Sequence, residues 1–353
     1  MSIRAIAKLA GISPAGVSLA LRGSPKISGA MKQKVARLAR TLGYRPNAKV
    51  GELMAQVRSS GGRRSEGCFG VISLYDHPRP WEESAHLSLI YASMKQRADE
   101  LGYRLEPIWL GAPAMTRRRI RSVLDARGIQ GLLCFGSPRL DDHFPNELDH
   151  YAVVTVGLSI QTRLHRVTSH FYHDTTATLD TVHQMGYRRP GLVIGHYEEV
   201  RSGHAHTGAY LAWCERTLKR RKPVPVLRLA SLDERAFLSW YSRYRPDVIV
   251  FIHTREAVVE FAGLLRRNQI RVPAQVGVAA VTHLLNDTGF SGMQQNQQLM
   301  GAWAVELLVS RVMHQDFGIP ANPRTELVES CWKDGTSLRW NEPDAASREV
   351  PHQ

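Results

Sequence analysis

Thirteen Lys and Arg side chains fall within the first 64 residues (Arg4, Lys8, Arg22, Lys26, Lys32, Lys34, Arg37, Arg40, Arg45, Lys49, Arg58, Arg63 and Arg64), against a single acid, Glu52. This stretch therefore carries +12 of the chain's +14, and the remaining 289 residues are close to neutral. Cations at this density do one kind of chemistry well: they neutralise phosphates and release condensed counterions, so a polyanion partner is expected for a small N-terminal module. Elsewhere nothing assembles a catalyst. The chain has no GxxxxGK[ST], HExxH, GxSxG or GxGxxG segment, and no nucleophile is matched with a base, so an enzyme is not expected. His204-Ala205-His206 places two imidazoles at i, i+2 without a third ligand nearby, which fits surface residues better than a metal site. The four cysteines, Cys68, Cys134, Cys214 and Cys331, lie far apart with no CxxC pair, so neither a zinc ribbon nor a disulfide framework is indicated. No metal and no cofactor are expected.

The elements that carry these residues divide the chain. A length of 353 residues suits two or three domains, and 43% hydrophobic with 22% charged residues is enough to build sizeable cores. No run of 18 apolar residues exists, and MSIRAIAKLAG lacks the apolar region of a signal peptide, so no membrane association and a cytoplasmic location are expected.

Three short helices are legible in the basic segment. Ile3, Ile6, Ala7 and Ala10 follow the i, i+3, i+4, i+7 spacing of a buried stripe, and Gly11 ends it. Ser13 caps a second helix with Pro14 at its first position and Val17, Ala20 and Leu21 on its apolar face. A third begins after Ser28, with Met31, Val35, Leu38 and Leu42 inward and Lys32, Lys34, Arg37 and Arg40 outward. The tight turn Gly11-Ile12-Ser13 has helix-turn-helix spacing, the arrangement that sets a second helix in the major groove.

Ile3 to Asn47 resembles the DNA-binding headpiece of the lac/galactose repressor family. The resemblance rests on Ala7, Ala10-Gly11-Ile12-Ser13, Val17-Ser18, Ile27-Ser28, Val35 and Leu42-Gly43-Tyr44-Arg45-Pro46-Asn47. It implies a headpiece over residues 1–47 and a hinge helix and linker over 48–65, in which Leu53 matches the apolar wedge that enters the minor groove. The implied DNA-binding set is Ser13, Pro14, Ala15, Gly16, Ser18, Leu19, Arg22, Asn47 and Leu53. Here the chain departs from the family. Pro14, Ala15 and Leu19 stand where polar base-reading side chains are usual, and Gly16 replaces a frequent Thr; small apolar groups can touch a thymine methyl but cannot form bidentate hydrogen bonds.

From Cys68 onward apolar runs alternate with helical patterns. Strands are expected at Cys68–Leu74, Arg104–Trp109, Gly131–Phe135, Ala152–Val156, Gly191–Ile194, Val224–Leu229, Asp247–Ile252 and Val276–Val281. Helices are expected at Leu87–Leu101, Thr175–Met185, Tyr210–Lys219, Ala257–Asn268 and Leu299–Met313. Buried strands separated by helices make parallel sheets covered on both faces, and two sets of about four strands make two lobes.

The resemblance continues into the family's effector-binding core, which is similar to a periplasmic sugar-binding protein. It rests on Met185-Gly186-Tyr187-Arg188-Arg189, on Gln294-Gln295-Asn296 and on Gly301-Ala302-Trp303-Ala304 with Leu307. The implied fold class is an α helix-turn-helix headpiece plus an α/β two-lobed periplasmic-binding-protein-like core with parallel sheets, spanning residues 66–340 before a tail at 341–353. Ligands of such sheets sit beyond the carboxyl ends of the strands. The expected effector-binding residues are accordingly Tyr75, Asp76, Ser137, His204, His206, His253, Thr282 and Gln295, with Trp81, Phe135, His196 and His283 as further candidate liners. Ala205 stands where the family usually has a sugar-clamping Arg, and His253 and Thr282 replace an Asn and an Asp that often bind hydroxyls, which puts a simple sugar in doubt.

Taken together, these readings predict a transcriptional regulator, in all expectation a repressor, that binds double-stranded operator DNA as a homodimer under control of a small-molecule effector such as a sugar or related metabolite. A transport protein on the same scaffold has no use for the basic headpiece. Residues 340–353 lack leucine heptads, so no tetramer-forming coil is expected.

Overall fold

In the first 42 residues Gly11 adopts φ +73°, a conformation that glycine enters without penalty, and the chain turns there between two helices. The computed structural model describes residues 3–21, 27–42, 67–112, 115–219, 222–282 and 288–339. It divides into two units, Met1–Ser65 and Glu66–Gln353.

The first unit contains α1 (Ile3–Ala10), α2 (Pro14–Leu21) and α3 (Gly29–Thr41). Ser13 Oγ accepts the Gly16 N–H (3.1 Å) and Ser28 Oγ accepts the Met31 N–H (3.4 Å), so each of the two later helices begins on a serine cap. Lys34 Nζ donates to the Ala10 carbonyl at the end of α1 (3.2 Å), where a cation also meets the negative end of the helix dipole. Ile6, Ala7, Ala10, Val17, Ala20, Val35 and Ala39 form the core, with Met31, Leu38 and Leu42 packed around it.

The second unit has two six-stranded sheets. In the first the order is β11-β5-β4-β3-β1-β2, from β1 (Gly67–Ser73), β2 (Tyr103–Trp109), β3 (Gly131–Cys134), β4 (Ala152–Val156), β5 (His165–Ser169) and β11 (Thr325–Val328), all parallel. In the second it is β12-β10-β9-β8-β6-β7, from β6 (Pro190–Gly195), β7 (Leu227–Leu229), β8 (Val248–Ile252), β9 (Gly277–Thr282), β10 (Ser291–Gln294) and β12 (Cys331–Lys333); only β12 runs antiparallel. Central strands β3, β4 and β8 are buried at every residue, which is why they read as continuous apolar runs.

The first sheet is covered by α4 (Ala85–Glu100), α5 (Arg117–Ala126) and α11 (Gln297–His314). The second is covered by α6 (Phe171–Gln184), α8 (Ala205–Leu218), α9 (Glu234–Tyr244) and α10 (Arg255–Arg267), and the short α7 (His196–Arg201) follows β6. The chain crosses between the lobes three times: between β5 and α6, between β10 and α11, and between β11 and β12. Each sheet thus has six strands where the sequence predicts about four.

Helix α11 lies so close to α4 that a Cβ on Gly301 would fall on Ser93 Oγ and the Ile90 carbonyl. Gly301→Ala should therefore lower unfolding free energy by roughly 1–3 kcal/mol, the usual scale of overpacking, read from denaturant midpoints.

At the crossings, Ser330 Oγ donates to Asp174 Oδ2 (2.7 Å), the Ser330 N–H meets Asp174 Oδ1 (3.4 Å) and the His170 N–H meets the Val328 carbonyl (2.9 Å), tying the first crossing to the third. Asp174 is fully buried, and burial lifts its carboxyl from the ordinary 3.8 to about 6 despite the Ser330 bonds. A carboxyl whose pKa is raised on folding binds its proton more tightly in the native state. Its stabilising contribution is full below about pH 3.8 and disappears as pH rises through about 6. Asp174→Asn should match the parent near pH 4 and exceed its stability by roughly 1–3 kcal/mol near pH 7.5, measured by urea unfolding across that range.

Candidate functional site

On α2 the 100° step per residue directs Val17 and Ala20 into the headpiece core, with Leu21 packed beside them. The same step sets position 19 on the opposite side. Leu19 is half-buried and absent from the described apolar cluster, Pro14 and Ser13 are exposed, and Gly16 and Ser18 are half-buried. Lys8, Lys34, Arg37 and Arg40 are exposed around this helix bundle, and no acid occurs among the described headpiece residues. The side chain of Ala15, together with Arg22, Asn47 and Leu53, lies outside the described residues.

In the core, the carboxyl ends of the strands from both sheets enclose a cavity of about 130 Å³. From the first lobe it is lined by Tyr75 after β1, Leu87 and Ile90 of α4, Phe135 after β3, and Thr168 and Ser169 of β5. The second lobe supplies Phe171, Tyr197, Glu198 and Arg201, with Thr254 after β8 and Gln295 after β10. Aromatic rings thus form much of the wall, and a few polar groups converge on it.

Two of those polar groups carry charge. Glu198 is 5% exposed, and its Oε2 has no hydrogen-bond partner. The nearest imidazole nitrogen, His253 Nδ1 at 3.7 Å, already accepts the Thr254 N–H (2.9 Å), and His253 Nε2 is buried and unpartnered. Arg201 stacks its guanidinium over Phe171 (5.1 Å) and Tyr197 (5.8 Å), while its Nε is buried without a partner. Thr168 Oγ1 is a fourth such atom. Buried polar atoms are normally hydrogen-bonded, and a lining with an unmet acceptor and unmet donors suits a ligand that supplies both. Gly195 lets this cluster form: a Cβ there would overlap Glu198 Oε2 and approach His253 Nε2 to 2.9 Å.

The expected effector-binding residues are only partly gathered here. Tyr75 and Gln295 line the cavity, and burial holds the Tyr75 hydroxyl well above the usual tyrosine range, so it stays neutral. His253 stands behind Glu198. Ser137 is buried but engaged, its Oγ with Asp142, its N–H with Ser159 Oγ (2.6 Å) and its carbonyl with the Tyr197 hydroxyl. His206 lies outside the cavity, with Nδ1 on Thr175 Oγ1 (2.7 Å) and its ring against Phe171; burial lowers it to about 3, so it is neutral. His204, with φ +63° and a side chain 69% exposed, turns outward onto Glu199, and Asp76 is 95% exposed beside Arg139. His196 is exposed, Trp81 is buried in a stack with Tyr91, and His283 and the Thr282 side chain lie outside the described residues. The cause is α7. The segment after β6 is helical and not an open loop, and it presents Tyr197, Glu198 and Arg201 while the neighbouring imidazoles point elsewhere. The signal was present in HYEEVR directly after an apolar strand, with polar residues at i, i+1 and i+4.

Among the described residues no three His, Cys, Asp or Glu side chains are grouped to hold a metal, and no helix is long and apolar enough to cross a membrane.

Comparison with family models matches residues 2–47 to "Bacterial regulatory proteins, lacI family" and residues 179–338 to "Periplasmic binding protein-like domain". The chain belongs to the lacI family. Solved structures similar to this lacI-family protein include the transcriptional regulator CelR with cellobiose (19% identity, TM-score 0.58, 96% of this chain and 100% of that one). The lac repressor dimer on its operator with the anti-inducer ONPF is similar at 16% identity and TM-score 0.58, over 96% of this chain and 99% of that one. CcpA of Lactococcus lactis is similar at 13% identity and TM-score 0.57, over 77% and 99%. At these identities the likeness is one of fold. A search of curated proteins returned no match.

Proposed function

We propose that this lacI-family protein is a transcriptional repressor that binds operator DNA as a homodimer in the cytoplasm and is controlled by a small polar ligand held between the lobes. The observation that carries the ligand half is a pair of buried polar atoms without hydrogen-bond partners, Oε2 of the buried Glu198 and Nε of the half-buried Arg201, in an aromatic-walled cavity between the two sheets. Sugar hydroxyls both donate and accept, so a sugar or related metabolite meets the two charges while laying its apolar faces on the rings. A ligand that favours one lobe arrangement shifts DNA affinity by its differential binding, typically about 1–3 kcal/mol of coupling. The like fold of CelR with cellobiose, and of the lac repressor dimer on its operator, supports this assignment. The lining presents binding groups and no nucleophile paired with a base, which favours a regulator over an enzyme.

Fluorescence anisotropy on DNA from the protein's own upstream region tests the reading. Affinity should fall steeply with salt, with a log–log slope of about −5 or steeper from several phosphates per headpiece. A sugar panel should contain a compound that both raises the melting temperature and changes operator affinity. A flat salt dependence would sink the DNA half, and thermal stabilisation without any change in DNA affinity would sink the coupling.

A further inference from the structure

Helix α2 reads PAGVSLAL, and Ser18 is its only side chain with a hydrogen-bonding group. None of its residues can form the paired hydrogen bonds by which Arg, Lys, Asn or Gln identify guanine or adenine in the major groove. Ser13, just before the helix, accepts the Gly16 N–H at its Oγ, and its single hydroxyl offers no paired contact to a base. The surface of α2 away from the core nevertheless carries a large apolar side chain. Leu19 sits opposite Val17 and Ala20 and belongs to no described packing cluster, and Pro14 is exposed at the helix start. A leucine left on the outer face of a two-turn helix, inside a segment with thirteen cations and one acid, has a polyanion as its natural neighbour. The one apolar group that B-DNA offers in its major groove is the thymine C5 methyl.

We infer that α2 recognises its half-site through thymine methyl groups, with Leu19 as the principal contact and Pro14 beside it. This rests on the DNA-binding reading above. It assigns a class of sequence: half-sites in which thymines occupy the base pairs under α2, distinguished by methyl contact, with phosphate pairing from the basic side chains supplying most of the affinity.

The test alters single methyl groups on the DNA. The full-length protein is used to select binding sites from a random duplex pool, and each thymine of the enriched half-site is then replaced in turn by deoxyuridine. At one or two positions the loss of the methyl should weaken binding about three- to fivefold, the scale of one buried methyl group. Placing 5-methylcytosine opposite guanine at those positions should restore part of what an unmethylated cytosine loses, which separates methyl contact from the shape of A·T-rich DNA. Leu19→Ala should abolish the deoxyuridine effect at its own position while leaving the salt slope unchanged. Leu19→Gln serves the same purpose should the alanine variant prove poorly folded by circular dichroism. An enriched site insensitive to deoxyuridine throughout, or a Leu19→Ala variant with the same deoxyuridine pattern as the parent, overturns methyl reading and leaves DNA binding standing. A pool that never enriches overturns both.

Discussion

Removal of residues 1–65 should abolish operator binding altogether while residues 66–353 keep their fold and their ligand. The cut falls between two units, and the headpiece core of Ile6, Ala7, Ala10, Val17, Ala20, Val35 and Ala39 is a separate apolar cluster from those of the lobes. All but about +2 of the net charge leaves with the headpiece, so the remainder has little means of displacing counterions from DNA. Anisotropy would show no salt-sensitive specific binding, and the shortened chain would melt cooperatively and respond to the same ligand as the parent. Retained operator binding would move the DNA interface into the core.

Glu198→Gln should act in opposite directions on stability and on binding. In the empty protein a buried carboxylate whose Oε2 accepts no hydrogen bond is held at a desolvation cost, offset only in part by the surrounding dipoles. The amide is near-isosteric and uncharged, so the ligand-free variant should gain about 1–2 kcal/mol in unfolding free energy. The same change removes the strong acceptor offered to the ligand, and affinity by calorimetry should fall roughly 10–100-fold, as expected for losing a charge-assisted hydrogen bond. A variant less stable than the parent would mean that Glu198 serves the fold; unchanged ligand affinity would mean that the cavity is not the binding site.

The headpiece was legible in the sequence because its rules are local. Caps at Ser13 and Ser28, the glycine at position 11 and a 3.6-residue apolar period act within a few residues, and the three helices form where those signals lie. The central strands were legible as apolar runs for the same reason. Strands β5, β10, β11 and β12 were not: HRVTS, SGMQ, TELV and CWK are short and polar, and their pairing is decided by segments far away in the chain. Strand β7 begins only at Leu227, after Pro225, which has no N–H to give a ladder, whereas the apolar run alone extends back to Val224. The cavity shows the same division. Its position at the strand ends followed from the topology, but which side chains enter depended on the helical turn of α7, one residue of phase deciding between Glu198 and Glu199.

The three crossings bear on how this protein can be cut and recombined. Neither lobe is a continuous stretch of chain: the first uses residues from β1 to β5 and then α11 and β11, and the second takes what lies between them and then β12. A headpiece can be exchanged with one splice near residue 65, whereas exchanging one lobe requires three simultaneous joins, each in register with a sheet. New operator specificity is therefore available by grafting, and a new ligand must come by changing side chains in place, at positions such as Glu198 and Arg201.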